Sequence, residues 1–163
     1  MSISPDRMLG IDETLARLLA EVVMQWSYVE HRQAQVLAHL MGANYGVVQY
    51  LTEGSSAAAT SRYIRDLAPA LLHPDDASAV KELLDRSDTA RKERNGYAHG
   101  LWKAGPDKTA QVQILRPTTT EIVSDQLVTA DDLTGLLEDI HRLLGDFAAF
   151  AALLGATNHL RSV

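Results

Sequence analysis

The sequence predicts a mainly α-helical fold, a four- to five-helix up-down bundle with a small β-hairpin insert before the last helix. Three observations carry this. Near each end, apolar residues recur at alternating spacings of three and four, the period of a one-faced helix. A middle segment from Val80 onward continues the same pattern. After Gly105 and Pro106 the period drops to two, with Ala110, Val112 and Ile114 alternating with Gln111 and Gln113. With 163 residues the chain fits one domain over 1–163, with an ordered core of about 10–155 and looser ends.

In the first helix, predicted from about Asp12 to Met41, the seam is Leu15, Leu19, Val22, Trp26, Val29, Gln33, Val36 and Leu40. Gly42 is its stop signal. Asn44, Tyr45 and Gly46 turn the chain into a short helix over Val47 to Glu53, ended by Gly54. Ser55 or Ser56 caps the next helix, whose Tyr63, Ile64, Leu67, Leu71 and Leu72 share one face before His73 and Pro74 close it. Asp75 and Asp76 suit a new helix N-terminus, followed by a seam of Val80, Leu83, Leu84, Ser87, Ala90, Arg94, Tyr97 and Leu101. The hairpin insert occupies about 109–128, its second strand running from Glu121 to Val128. Thr129 is the N-cap of a last long helix with Leu133, Leu136, Leu137, Ile140, Leu143, Leu144, Phe147, Phe150 and Leu154 on its inner face.

Composition narrows the function classes. A formal charge of −6 and a pI near 5.4 oppose a broad nucleic-acid-coating surface, so any phosphate contact must be focal. There is no cysteine, which removes disulfides, thiolate metal sites and a Cys nucleophile. The start MSISPDRMLGIDETL lacks the apolar run of a signal peptide, and LLGDFAAFAALLGA is short for a bilayer and broken by Asp146. The expectation is a cytoplasmic protein with no membrane association. The histidines His31, His39, His73, His99, His141 and His159 are scattered without HExxH-type spacing, so no metal and no cofactor are expected. No Gly-rich phosphate loop follows a strand, and GSSAAATS reads as a linker and helix start rather than a nucleophile elbow.

What remains is RKERNGYAHGLW, residues 91–102. Arg94 offers a planar donor fork suited to phosphate, and His99 carries the side-chain type that exchanges protons near neutral pH. Asn95 and His99 are four apart and stack on one helix face, whereas Arg94 and His99 are five apart, about 140° around a continuous helix. Their tips converge only if Arg94 reaches across or the helix ends between them, an ending that Gly96 and Gly100 permit. The competing structural roles are Gly100 as a C-cap, His99 as a last-turn cation, and Arg94 paired to a carboxylate at the core edge. Burying an unpaired arginine costs several kcal/mol, which favours a functional reading of the set Arg94, Asn95 and His99. Arg91, Lys92 and Lys103 read first as solvated charge, with Arg91 as auxiliary phosphate attraction. Tyr97 and Trp102 are candidates to stack a base, with core packing the stronger reading for both.

The run R-N-G-Y-A-H, Arg94 through His99, resembles the motif of the HEPN (higher eukaryotes and prokaryotes nucleotide-binding) superfamily: Arg, four to six residues, then His, commonly with a polar residue after the Arg. The layout from about Glu21 to Leu154 is similar to a bacterial branch of that superfamily, with WSYVEHRQAQVLAHLMG, YIRDLAPALL, ERNGYAHGLW and a final long helix in order. The hairpin insert between Ala110 and Val128 and the acidic charge depart from it. The resemblance implies a HEPN-like domain that cleaves RNA without metal, the ribose 2′-OH attacking to leave a cyclic phosphate. It implies Arg94, Asn95 and His99 as the catalytic set, a homodimer with two motifs facing one cleft, and a toxin or defence role with an antitoxin-type protein partner. In that dimer Gly96 and Gly100 become positions of close approach by the second copy. The alternative is a non-catalytic helical module for dimerisation, nucleotide binding or protein interaction.

Overall fold

The computed structural model describes residues 11–52, 56–115 and 122–161. The expected loose N-terminal end, the stop at Glu53 and Gly54, the alternative cap Ser55 and the strand start at Glu121 lie outside them, whereas residues 156–161, expected to be loose, continue the last helix. Among the described residues the fold is mainly α, 78% helical, with five helices and a three-stranded antiparallel sheet before the last helix. In order these are α1 (Glu13–Met41), α2 (Tyr45–Thr52), α3 (Ala57–Leu71), α4 (Pro74–His99), β1 (Leu101–Ala104), β2 (Ala110–Leu115), β3 (Ile122–Val128) and α5 (Ala130–Arg161).

Local chemistry sets the helix ends. Asp12 Oδ1 accepts from Thr14 N at 2.9 Å and starts α1. Gly42, at φ +58, ends it, with Ala43 N donating to Ala38 O and Gly42 N to His39 O, the double bond of a left-handed glycine cap. Ser56 caps α3 through Ala59 N. Pro74 opens α4, where its missing N–H costs nothing, and His73 Nδ1 accepts from Asp75 N at 3.4 Å. Thr129 and Asp132 cap α5 reciprocally: Thr129 N and Oγ1 donate to Asp132 Oδ2, and Asp132 N donates to Thr129 Oγ1.

The chain's contacts group into two compact units, Met1–Gln25 with Ala90–Ile140, and Trp26–Thr89 with His141–Val163. In the first, Leu15, Val22, Ala90, Tyr97, Ala110, Val112, Val128, Leu133 and Leu136 are buried. Strand order is β1-β2-β3, and the register pairs Leu101 with Gln113, Ala104 with Ala110, and Ala110 with Val128. The expected two-stranded hairpin therefore gains a third strand, β1. Leu101, expected to continue the α4 seam, instead opens β1 and is 51% exposed. The cause is the tight link from Gly105 to Thr109: Asp107 and Lys108 take φ of 48° and 60°, and Gly105 N bonds Thr109 O, folding LWKA back onto β2.

In the second unit, Trp26, Val29, Ile64, Leu84, Leu143 and Phe147 are fully buried. The face predicted for α3 is rotated. Tyr63 and Leu71 are exposed, and Thr60, Ser61, Ile64 and Ala68 are buried, because small side chains let α3 pack closely where bulk would hold it off. Arg65 ties α3 to α4 through Asp85 at 2.8 Å and Asp88 at 3.1 Å.

The polar member of the α1 seam is explained here. Gln33, 1% exposed, donates from Nε2 to Ser87 Oγ at 2.8 Å, and Ser87 is itself 1% exposed. Removing one partner strands the other in the core, so Ser87→Ala is expected to cost about 1–3 kcal/mol. Replacing both, Gln33→Leu with Ser87→Ala, is expected to recover most of that loss. Chemical denaturation of the two variants and the wild type checks the non-additivity.

Candidate functional site

The segment from Arg91 to Trp102 lies within the first unit, on the last turns of α4 and the first residues of β1. It concentrates Arg91, Lys92 and Arg94, with Lys103 following, against the single carboxylate of Glu93, a focal cluster of basic residues on an acidic chain. α4 runs unbroken to His99, so the helix does not end between Arg94 and His99. The half-buried Arg94 donates from Nη1 to Asn95 Oδ1 at 2.8 Å, which ties it to the residue four positions before His99. His99 is exposed on the last turn, and among the described residues no hydrogen bond joins it to Arg94 or Asn95. Arg91 sits one turn before Asn95 and is half-buried.

The glycines have a different role from the one expected of them. An added Cβ at Gly96 would lie 2.8 Å from Ile114 Cδ1, and one at Gly100 would lie 2.5 Å from Val112 Cγ1 and 2.7 Å from Gly96 O. β2 of the same chain thus fills the space assigned to a second copy. Gly100 does not adopt the left-handed conformation seen at Gly42, so it is present for close packing and not as a positive-φ cap. The pairing of β2 with β1 follows directly, since the sheet seats on the C-terminal turns of α4 through these two gaps.

Tyr97 and Trp102 brace this junction. Tyr97 is 5% exposed, donates from its phenol to Glu93 Oε1 at 3.2 Å, and accepts the Trp102 indole N–H on its backbone oxygen at 2.7 Å. The two rings lie 6.1 Å apart at 52°. A ring so buried has no face for a base, whereas Trp102 is half-buried on β1. Glu93, to which sequence reasoning assigned no role, orients this pair. Its i, i+4 spacing to Tyr97 is the signal that could have found it.

Compared with protein-family models, curated proteins and solved structures, the chain matches none.

Burial raises the Tyr97 phenol well above its ordinary value, and the adjacent Glu93 carboxylate adds to the rise. Below about pH 10 both folded and unfolded chains keep this proton; above it the unfolded tyrosine ionises first and the folded one does not. Stability is therefore expected to fall as pH rises past about 10, and Tyr97→Phe is expected to flatten part of that decline. Melting temperatures across an alkaline series compare the two proteins. Among the described residues no group of three or more His, Cys, Asp or Glu stands together as a metal site, and no helix is long and apolar enough to cross a membrane.

Proposed function

We propose that the chain is a HEPN-like endoribonuclease that needs no metal, with Arg94, Asn95 and His99 as its working residues. The observation that supports this most is the Arg94 to Asn95 hydrogen bond, which ties a half-buried cation to the residue one helical turn before an exposed imidazole. In the reaction, the ribose 2′-oxygen attacks the adjacent phosphorus. The P–O5′ bond breaks, leaving a 2′,3′-cyclic phosphate and a 5′-hydroxyl. One imidazole accepts the 2′-OH proton and another returns a proton to O5′, each contributing about 10²- to 10⁴-fold. Arg94 neutralises the charge that builds on the phosphorane oxygens, and Asn95 fixes the guanidinium.

A single His99 cannot serve both proton transfers in one displacement. The reading therefore includes a homodimer with two His99 at one cleft, a cytoplasmic setting, and a protein partner of antitoxin type. In this reading Arg91 attracts phosphate and Trp102 stacks a base. The test uses a short RNA and the same strand with a 2′-deoxyribose at the cut position, both in EDTA. Cleavage of the first with a cyclic phosphate end, and none of the second, is expected. Equal treatment of the two strands contradicts the reading. The rival, a non-catalytic dimerisation or nucleotide-binding module, draws on Arg94 being half-buried and already bonded. It predicts a large loss of melting temperature in Arg94→Ala and no RNA cleavage.

A further inference from the structure

The unit that does not contain Arg94 and His99 holds an open cavity of about 550 Å³, lined by α1, α2 and the start of α3. Glu30, His31, Tyr45, Gln49, Tyr50 and Thr60 carry its chemistry. A chain of hydrogen bonds leads to its wall from Arg32 and Gln35, which lie outside the lining, and ends on His31 and Tyr45, which belong to it. Arg32 Nη1 donates to Gln35 Oε1 at 2.8 Å, Gln35 Nε2 meets His31 Nε2 at 3.0 Å, and His31 Nδ1 meets Tyr45 Oη at 2.6 Å.

Donor and acceptor roles in that chain follow without choice. Arginine only donates, so Gln35 must turn its oxygen to Arg32 and its NH₂ to His31. His31 Nε2 is then the acceptor, and Nδ1 carries the ring proton that is given to Tyr45 Oη. Reversing the amide would set an NH₂ against the guanidinium. Tyr45 therefore has its own O–H to give, and the tyrosine lines the cavity. The edge-on packing of the His31 and Tyr45 rings, 4.8 Å between centroids, holds the phenol in place.

Charge selects the other half of the ligand. Glu30 is the one charged side chain among the described lining residues, and its Oε1 is held at 2.8 Å by the indole N–H of the fully buried Trp26. Such a wall opposes anions and attracts a cation, and the faces of Tyr45 and Tyr50 add cation–π attraction. We infer that this cavity binds a small organic cation that also carries an oxygen acceptor, the chemistry of an amino alcohol. The nitrogen faces Glu30 and the tyrosine rings, and the oxygen accepts from Tyr45 Oη. This inference does not rest on the ribonuclease reading.

Titration calorimetry of the full chain with choline and ethanolamine, and with acetate and inorganic phosphate as anions of similar size, tests it. Saturable binding of the amino alcohols and none of the anions is expected. Glu30→Gln is expected to weaken binding about ten-fold, and Tyr45→Phe about five-fold. Tyr50→Ala alters a ring that is 77% exposed, so it keeps the fold and is expected to weaken binding of choline several-fold. Nitrogen chemical shifts of the His31 ring give a second readout, with the Nδ1–H tautomer expected. Absence of saturable binding, equal binding of the anions, unchanged affinity in both Glu30→Gln and Tyr50→Ala, or an Nε2–H tautomer overturns the proposal.

Discussion

His99→Ala is expected to lower RNA cleavage by about 10²- to 10⁴-fold while leaving the melting temperature close to that of the wild type. The two halves of this expectation have separate grounds. His99 is exposed at the last turn of α4, and no hydrogen bond to Arg94 or Asn95 among the described residues depends on it, so its loss removes little from the fold. Surface changes of this kind fall within about 0.5 kcal/mol. Its loss does remove the imidazole that the proposed proton transfers require. Arg94→Ala differs in kind. It takes away both the cation that the proposal sets against phosphate and the bond to Asn95 Oδ1, and the half-buried position adds a packing cost, so activity and stability are expected to fall together. Initial rates on a labelled RNA, read beside thermal melts, separate the two variants.

Gly100→Ala is expected to carry the largest cost in stability, about 3 kcal/mol or roughly 6–12 °C in Tm. The new Cβ would meet both Val112 Cγ1 at 2.5 Å and the backbone oxygen of Gly96 at 2.7 Å, and the second of these cannot rotate away. Relief requires β2 to lift from the end of α4 and the backbone at Gly100 to move off the Gly96 oxygen, which also displaces His99 and Trp102. Gly96→Ala is the instructive contrast. There the Cβ would meet only the tip of Ile114, and the helix gains about 1 kcal/mol from replacing glycine. The pair Gly96→Ala with Ile114→Val is expected to melt near the wild type. A Gly100→Ala protein as stable as the wild type would remove the packing account of that glycine.

The long helices were legible because their signals are local and redundant. α1 and α5 each repeat an apolar seam over many turns, and Asp12, Gly42, Ser56 and Thr129 supply caps whose chemistry depends on neighbours within four residues. β1 was not legible, since four residues of LWKA are too few to display a period, and its pairing depends on the distant β2. The α3 face was misjudged because apolar bulk pointed to Tyr63 and Leu71, while the buried stripe is built from Thr60, Ser61 and Ala68. At the candidate site, the residue types at positions 94, 95 and 99 were visible in sequence, and so was the angle between Arg94 and His99. The Arg94 to Asn95 bond, and the filling of Gly96 and Gly100 by Ile114 and Val112, arise from side-chain packing that no spacing rule contains. The His31 to Tyr45 contact is hidden for the same reason, because it joins two helices across a turn.

The most direct measurement is cleavage of a defined RNA by the purified chain in EDTA, run beside Arg94→Ala and His99→Ala, with the product ends identified. The account predicts 2′,3′-cyclic phosphate ends from the wild type and none above background from either variant. RNA left intact by the wild type, or cut equally well by both variants, would contradict it.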